Sequence, residues 1–221
     1  MTDKNGLLLE MIVNGPFQEN CFLVADMETR QAIMVDPGFS ADELAEAVRE
    51  RDLTITEIIC THAHIDHAGA VAPLKRLLGA PFAMHPDDRP VLDFMPSAAQ
   101  MYGLGPVEVP EVDRELADGD EIKVGELAGQ VIHTPGHSPG GCCLYFKEQG
   151  VLIAGDTLFS GSVGRTDLPG GSTETLLESI KGRLLTLPDE TEVHCGHGPA
   201  TTIGAERAGN PFLKPGGMNF M

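Results

Sequence analysis

Positive charge is what this chain has least of: 15 Lys and Arg stand against 33 Asp and Glu, a formal net charge of −18. A surface that binds nucleic acid must displace counterions from phosphates, which takes clustered cations, so no nucleic-acid partner is expected. Long apolar runs are missing as well. No stretch of about 18 apolar residues occurs, and the opening Met-Thr-Asp-Lys-Asn-Gly has no apolar signal core. Neither membrane insertion nor export is expected, and cytoplasmic residence follows. The five cysteines are odd in number and irregular in spacing, which excludes a disulfide framework. Cys21, Cys60, Cys142, Cys143 and Cys195 are expected to be reduced and buried, with the adjacent Cys142 and Cys143 on opposite sides of one strand. Internal repeats and low-complexity tracts are also absent.

What is present is a chain of 221 residues, 42% hydrophobic, long enough for one sizeable core and read as a single domain over residues 1–221. Apolar runs over residues 7–13, 21–25 and 31–36 read as an antiparallel meander. Ser40 and Glu43 have capping-box spacing and predict a helix over 41–51. A buried strand over 57–60 is followed by a helical pattern over 68–78. Five prolines (Pro86, Pro90, Pro96, Pro106, Pro110), with Met95, Met101 and Tyr102 among them, mark residues 86–118 as a helix and loop covering a substrate cleft. Strands over 121–124, 126–133, 142–147 and 151–155 and a helix over 173–184 complete an α/β pattern. The tail carries Phe212, Leu213, Phe220 and Met221, suited either to closing the core or to packing on a second subunit in a homodimer.

One cluster stands out. Thr-His-Ala-His-Ile-Asp-His at residues 61–67 puts His62, His64, Asp66 and His67 within six positions. Three of the eight histidines in so short a run is improbable for a solvated loop, whereas neutral imidazole and carboxylate are metal ligands. In an extended segment His62, His64 and Asp66 point one way while a turn swings His67 aside, which suits two adjacent metals. A helix N-terminus following the cluster disfavours imidazolium and favours a neutral His67. Three later residues fall where an apolar strand gives way to a Gly-containing loop: His137 in His-Thr-Pro-Gly-His, Asp156 in Ala-Gly-Asp, and His197 in His-Cys-Gly-His. Side chains on such loops meet above a sheet.

The HxHxDH run, these later residues and the surrounding Gly-Asp-Thr-Leu-Phe and Cys-Gly-His-Gly resemble the metallo-β-lactamase fold hydrolases, and within them the short bacterial relatives of glyoxalase II, hydroxyacylglutathione hydrolase. The resemblance implies a four-layer αβ/βα sandwich. It implies that His62, His64 and His137 hold one divalent metal ion, that Asp66, His67 and His197 hold a second, and that Asp156 bridges them; zinc is favoured, with iron or manganese possible. Two divalent cations against two carboxylates and a bridging hydroxide keep a net positive charge, which polarises a carbonyl and supplies hydroxide at neutral pH. The implied reaction is attack of that hydroxide on a small thioester such as S-lactoylglutathione, with Asp66 and Asp156 as the catalytic carboxylates. A thiol of pKa near 8.5 leaves without a strong general acid. Asp156 stands where many β-lactamases have Cys, which disfavours antibiotic hydrolysis, and the acidity disfavours the superfamily's nucleases.

Arg165, in Gly-Ser-Val-Gly-Arg, falls where the resemblance puts a basic contact to a substrate carboxylate, a task that suits a guanidinium. Thr166 and Asp167 depart from the family's aromatic pattern there, and an ordinary surface Arg is the alternative. Against the acidic field, Arg165, Arg207 or Lys214 would have to attract an anionic substrate locally. Asp36, in Val-Asp-Pro-Gly, is either an acceptor for a ligand N–H or a solvated turn residue. His133 and His85 are read as structural, and His194 as a hydrogen-bonded core residue. Only 24 residues follow His197, so the helical region with which full-length glyoxalase II binds glutathione is largely missing. The Gly-Arg-Thr-Asp run also resembles persulfide dioxygenases, which use a single iron, and this is the second functional expectation.

Overall fold

The computed structural model describes residues 2–214. Its first half builds a seven-stranded sheet from β1 (Thr2–Lys4), β2 (Leu7–Asn14), β3 (Glu19–Asp26), β4 (Gln31–Val35), β5 (Thr54–Ile59), β6 (Phe82–Met84) and β7 (Arg114–Glu115), adjacent in chain order. β1 to β4 pair antiparallel, as the meander predicts, and β4 to β7 pair in parallel. Parallel neighbours need crossovers, and helices supply them. They are α1 (Ala41–Glu50), the single turn α2 (Ile65–Ala68), α3 (Val71–Leu78) and α4 (Arg89–Met101).

A six-stranded sheet follows. It holds β8 (Glu121–Val124), β9 (Leu127–His133), β10 (Cys142–Phe146) and β11 (Val151–Gly155), while β12 (Leu158–Phe159) and β13 (Ser162–Val163) form a separate hairpin. β14 (Glu192–Cys195) and β15 (Thr201–Thr202) complete the sheet in the spatial order β15-β14-β11-β10-β9-β8. α5 (Thr173–Ser179), extended by a π-helical turn over Ile180–Leu184, and α6 (Ile203–Gly209) cover its outer face.

Side-chain alternation sorts the strands into layers. In β3 every residue is buried, but Phe22 and Val24 face the second sheet, against Val131, Leu144 and Ile153, while Cys21, Leu23 and Ala25 face Leu44, Val48 and Leu74 of the first sheet's helices. On the far side Cys143, Leu152 and Val193 meet Leu176, Ile180 and Ile203. Both sheets are therefore buried on two faces, which explains their near-continuous apolar runs. The result is the expected α/β sandwich of four layers. All five cysteines are buried and unpaired, and Cys142 and Cys143 point into different layers. Among the described residues no helix is long and apolar enough to cross a membrane.

Several local expectations change. Ser40 is not a side-chain cap: it sits in the left-handed region (φ 54) and makes no capping hydrogen bond, so α1 rests on its buried face of Leu44, Ala45 and Val48. The helical pattern from residue 68 breaks at Gly69–Ala70, so α3 starts only at Val71. Residues 86–118 do hold a helix, α4, whose Met95 and Ala99 pack in one cluster with Ala63 and Ile65, so it lies over the HxHxDH segment. Phe212 and Leu213 pack against the core beneath α5 and α6, whereas Phe220 and Met221 lie outside the described residues.

Phe22 is fully buried between the sheets, and truncation leaves a void that neighbours fill only partly. Phe22→Ala is expected to lower unfolding free energy by about 3–5 kcal/mol in a denaturant titration.

Candidate metal centre

The ligand residues converge because every loop that carries one follows the C-terminal end of a strand, β5 in the first sheet and β9, β11 and β14 in the second. β5 ends at Ile59, and Thr61 to His64 cross to α2, with His64 the extended N-cap residue (φ −64, ψ 154). Asp66 and His67 lie on that single helical turn. Helical geometry therefore separates Asp66 from His62 and His64, in place of the shared extended face the spacing suggested. His137 stands in the loop between β9 and β10, Asp156 directly after β11, and His197 just beyond β14.

Two trios result. His62, His64 and His137 form one: His64 Nδ1 lies 2.9 Å and His62 Nε2 3.2 Å from His137 Nε2. Asp66, His67 and His197 form the other, with His197 Nε2 3.3 Å and His67 Nε2 3.9 Å from Asp66 Oδ2. Asp156 stands between them. Its Oδ2 is 3.7 Å from both His137 Nε2 and His197 Nε2, and its Oδ1 is 3.5 Å from His67 Nε2. All seven residues expected from the sequence thus share one cradle.

The donor set fits metal ions. A tetrahedral centre with bonds of about 2.0–2.1 Å spaces its ligands by about 3.3–3.4 Å, close to the separations within each trio. His67 Nε2 and Asp156 Oδ1 are buried and have no hydrogen-bond partner, which is costly in a protein interior unless a cation takes their lone pairs. Gly196 makes room for this: a Cβ there would lie 2.2 Å from Asp156 Oδ1 and 2.7 Å from His67 Cε1.

Neighbouring groups fix the rings. Asp36 is fully buried, so the solvated-turn reading fails. Its carboxylate accepts from Thr61 N–H (2.6 Å) and Thr61 Oγ1 (2.7 Å), and faces His67 Nδ1 at 3.1 Å. Its backbone is left-handed (φ 54), a strained conformation for Asp that this network holds. Asn20 Nδ2 donates to the carbonyls of Cys195 and Gly198, both at 2.9 Å, and ties down the His197 loop. His137 Nδ1 donates to the Arg165 carbonyl at 2.7 Å, which aims Nε2 into the centre. Asn20, Asp88 and Glu19, whose Oε1 lies 4.0 Å from His67 Nδ1, are not legible in the sequence, because nothing in a lone polar residue reveals that it will be buried.

The trios differ electrically in the metal-free protein. Burial holds His62 well below its ordinary value and pushes His64 down to about 3 and His137 to about 4. Burial pushes His67 the same way, yet Asp156, Asp66 and Asp36 outweigh it and hold that imidazole well above its ordinary value. The carboxylates, not the helix N-terminus, dominate the surroundings of His67. The Asp66 hydrogen bond likewise raises His197.

The remaining histidines have other tasks. His85 and His133 stack in parallel at 4.0 Å (8°), with His133 Nε2 3.1 Å from the Pro139 carbonyl. His194 packs edge-on to Phe22, and its Nε2 faces Glu192 Oε2 at 3.6 Å. The Arg165 guanidinium is exposed and pairs with both oxygens of Asp167 at 2.7 Å. Arg207 is occupied by the Leu185 and Leu187 carbonyls and Asp189.

A two-sheet sandwich with a His and Asp cradle at the strand ends of both sheets is the architecture of a metal-binding α/β protein. The profile of the Metallo-beta-lactamase superfamily matches residues 14–197, and the chain belongs to that superfamily. A hydroxyacylglutathione hydrolase, GloC of Haemophilus influenzae, is 38% identical over 212 residues, covering 93% of this chain and 97% of its own. Among solved structures, the B3 metallo-beta-lactamase BLEG-1 superposes with a TM-score of 0.87 at 37% identity, covering 94% of this chain and all of its own. TTHA1623, solved in a di-iron-bound form, gives 0.85 at 43% identity (92% and 100% covered). ETHE1 from Myxococcus xanthus gives 0.76 at 28% (92% and 83% covered).

The electrical contrast is measurable. In chelator-treated protein, ring titrations by NMR are expected to show His64 and His137 neutral down to pH 5 and His197 titrating above 6.5. Unfolding frees His64 and His137 to take up protons below 6.5, so their burial costs stability as pH falls from 6.5 toward 4. The raised His197 acts oppositely, stabilising below 6.5 and losing that contribution as pH climbs through its folded value.

Proposed function

We propose that this chain is a metal-dependent hydrolase of small thioesters, with hydroxyacylglutathione of the S-lactoylglutathione type as the favoured substrate. The observation that carries the reading is Asp156, whose single Oδ2 lies 3.7 Å from a histidine of each trio. One carboxylate shared in this way suits two divalent ions a few ångströms apart. His62, His64 and His137 would hold one ion, Asp66, His67 and His197 the other, with Asp156 between; zinc is the favoured metal, and the di-iron form of TTHA1623 supports iron. Such a pair, once bound, supplies a nucleophilic oxygen at neutral pH and polarises the carbonyl it attacks.

The chain's own groups do the rest. His67 is fully buried, whereas His197 (29% exposed) and Asp66 (19%) are the more open members of its trio, so substrate meets the cradle there. Asp66, acceptor-only when ionised, orients a proton-bearing oxygen beside it. Asp66, the carboxylate on that open side, is held below its ordinary value because His67 and His197 outweigh its burial, so it is no acid for protonating an amine. A thiolate needs none, which favours thioesters over lactams despite the likeness to BLEG-1. Arg165 can offer its guanidinium to a substrate carboxylate if that group replaces Asp167. GloC, which matches along nearly its whole length, supports a glutathione thioester. A cytoplasmic location and action on a small molecule, without nucleic acid, accord with this reading.

Metal-loaded protein is expected to hydrolyse S-lactoylglutathione and to leave β-lactams nearly untouched, with Asp66→Ala lowering kcat/KM by about 100-fold or more. Thiol release followed with a chromogenic disulfide checks this, and inertness toward a panel of thioesters would defeat the reading. The second reading, a single-iron persulfide dioxygenase, is favoured by the Gly164-Arg165-Thr166-Asp167 run and the likeness to ETHE1. One iron per chain with oxygen uptake on a persulfide would establish it; two metal ions and no oxygen uptake would dismiss it.

A further inference from the structure

Asp88 is fully buried in the first residues after β6, outside the seven ligands, and burying a carboxylate is costly unless its lone pairs are satisfied. Three donors satisfy them, and they come from two loops. Ala63 N–H donates to Oδ2 at 2.8 Å, Ser138 Oγ to the same oxygen at 2.9 Å, and Gly140 N–H to Oδ1 at 2.5 Å. Ala63 lies between His62 and His64, and Ser138 follows His137. One side chain therefore ties together the two segments that carry all three members of the His62/His64/His137 trio.

The approach is built for contact. A Cβ on Gly140 would fall 2.7 Å from Asp88 N and 2.9 Å from Asp88 Cβ, so the 138–140 turn can close on the carboxylate only with glycine there. The same two segments meet again through the parallel stack of His85 on His133, whose Nε2 lies 3.1 Å from the Pro139 carbonyl. The other trio has separate supports: Asp36 faces His67 Nδ1, and Asn20 holds the carbonyls on either side of His197. No contact of Asp88 reaches Asp66, His67 or His197 among the described residues.

We propose that Asp88 is a positioning residue for the three-histidine trio alone: it sets the spacing of His137 from His62 and His64, and so the affinity and coordination geometry of one metal site and not the other. The proposal rests on the reading that both trios bind metal. Its chemistry predicts which change matters. In Asp88→Asn one oxygen becomes an NH2, which must face an N–H donor whichever way the amide turns, so at least one loop is released.

The test measures binding, not turnover. His197→Ala isolates the three-histidine site and His64→Ala the other. In each background Co(II) affinity is taken by competition with a chelator, and the visible absorption of bound Co(II) reports geometry. Asp88→Asn is expected to weaken Co(II) binding about 10- to 100-fold and to alter the spectrum in the His197→Ala background, with less than a twofold change in the His64→Ala background. Equal losses in both backgrounds would reduce Asp88 to a fold-stabilising residue, and no loss in either would remove it from the site. Ser138→Ala, which deletes one donor and leaves the carboxylate, decides the matter if Asp88→Asn does not fold: a smaller weakening confined to the three-histidine site upholds the proposal, and its absence overturns it. If the unsubstituted chain binds no Co(II), the metal reading itself has failed; two bound ions with an indifferent Asp88→Asn refute only this inference.

Discussion

Five imidazoles and two carboxylates are held closer together than hydration would allow, and the rest of the structure is arranged around that crowding. Nitrogen atoms 2.9–3.2 Å apart, with a carboxylate 3.5–3.7 Å away, are stable neighbours only with a proton or a cation among them. Neither sheet could produce this alone. The first sheet delivers Thr61 to His67 from the end of β5, while the second delivers His137, Asp156 and His197 from β9, β11 and β14. Packing the sheets through Phe22, Val24, Val131 and Ile153 aligns those strand ends, so the apolar interior and the polar cradle are one construction.

Charge is then divided unevenly across a few ångströms. Three imidazoles with little affinity for protons form one trio, and the carboxylates Asp66 and Asp156 gather at the other with two imidazoles that hold protons readily. A cation entering the first displaces none from His64 or His137, since burial has already removed them. A cation at the second would compete with protons on His67 and His197, whose proton affinity is raised. Affinity at the two positions should therefore respond differently to acidity, although both sit in one cradle. The chain's overall charge of −18 acts in the same sense by attracting divalent cations toward the surface.

Much of this was legible in the sequence because it depends on side-chain type at short spacing. His62, His64, Asp66 and His67 announce themselves, and strand-to-loop transitions at His137, Asp156 and His197 are visible as apolar runs ending at glycine. Layering was legible too, since strands buried on both faces read as unbroken apolar runs. Supports were not. Asp36 could equally have been solvated, and its role appeared only when β4 was found parallel to β5, which brings residues 25 positions apart into contact. His67 was misjudged because a helix terminus is local and can be read, whereas the three carboxylates that outweigh it arrive from β4, α2 and β11. Ser40 has the spacing of a cap but a left-handed backbone that points its hydroxyl elsewhere.

Arg165 joins the centre to its surroundings in two ways that the sequence could not separate. Its carbonyl orients His137, while its guanidinium is closed on Asp167 by two hydrogen bonds of 2.7 Å. In an acidic protein this clasp is a reason for an anionic substrate to be selected locally and not by long-range attraction. A carboxylate placed at Arg165 exchanges one bidentate pair for another, so its net gain is small, as expected of an exposed ion pair. Selectivity must then come from what else the substrate touches on the open side, along Asp66 and His197 and beneath α4. Apolar surface for such contacts lies at the end of α4, where Met101 and Tyr102 are exposed and Tyr102 is edge-on to Phe17 at 5.3 Å.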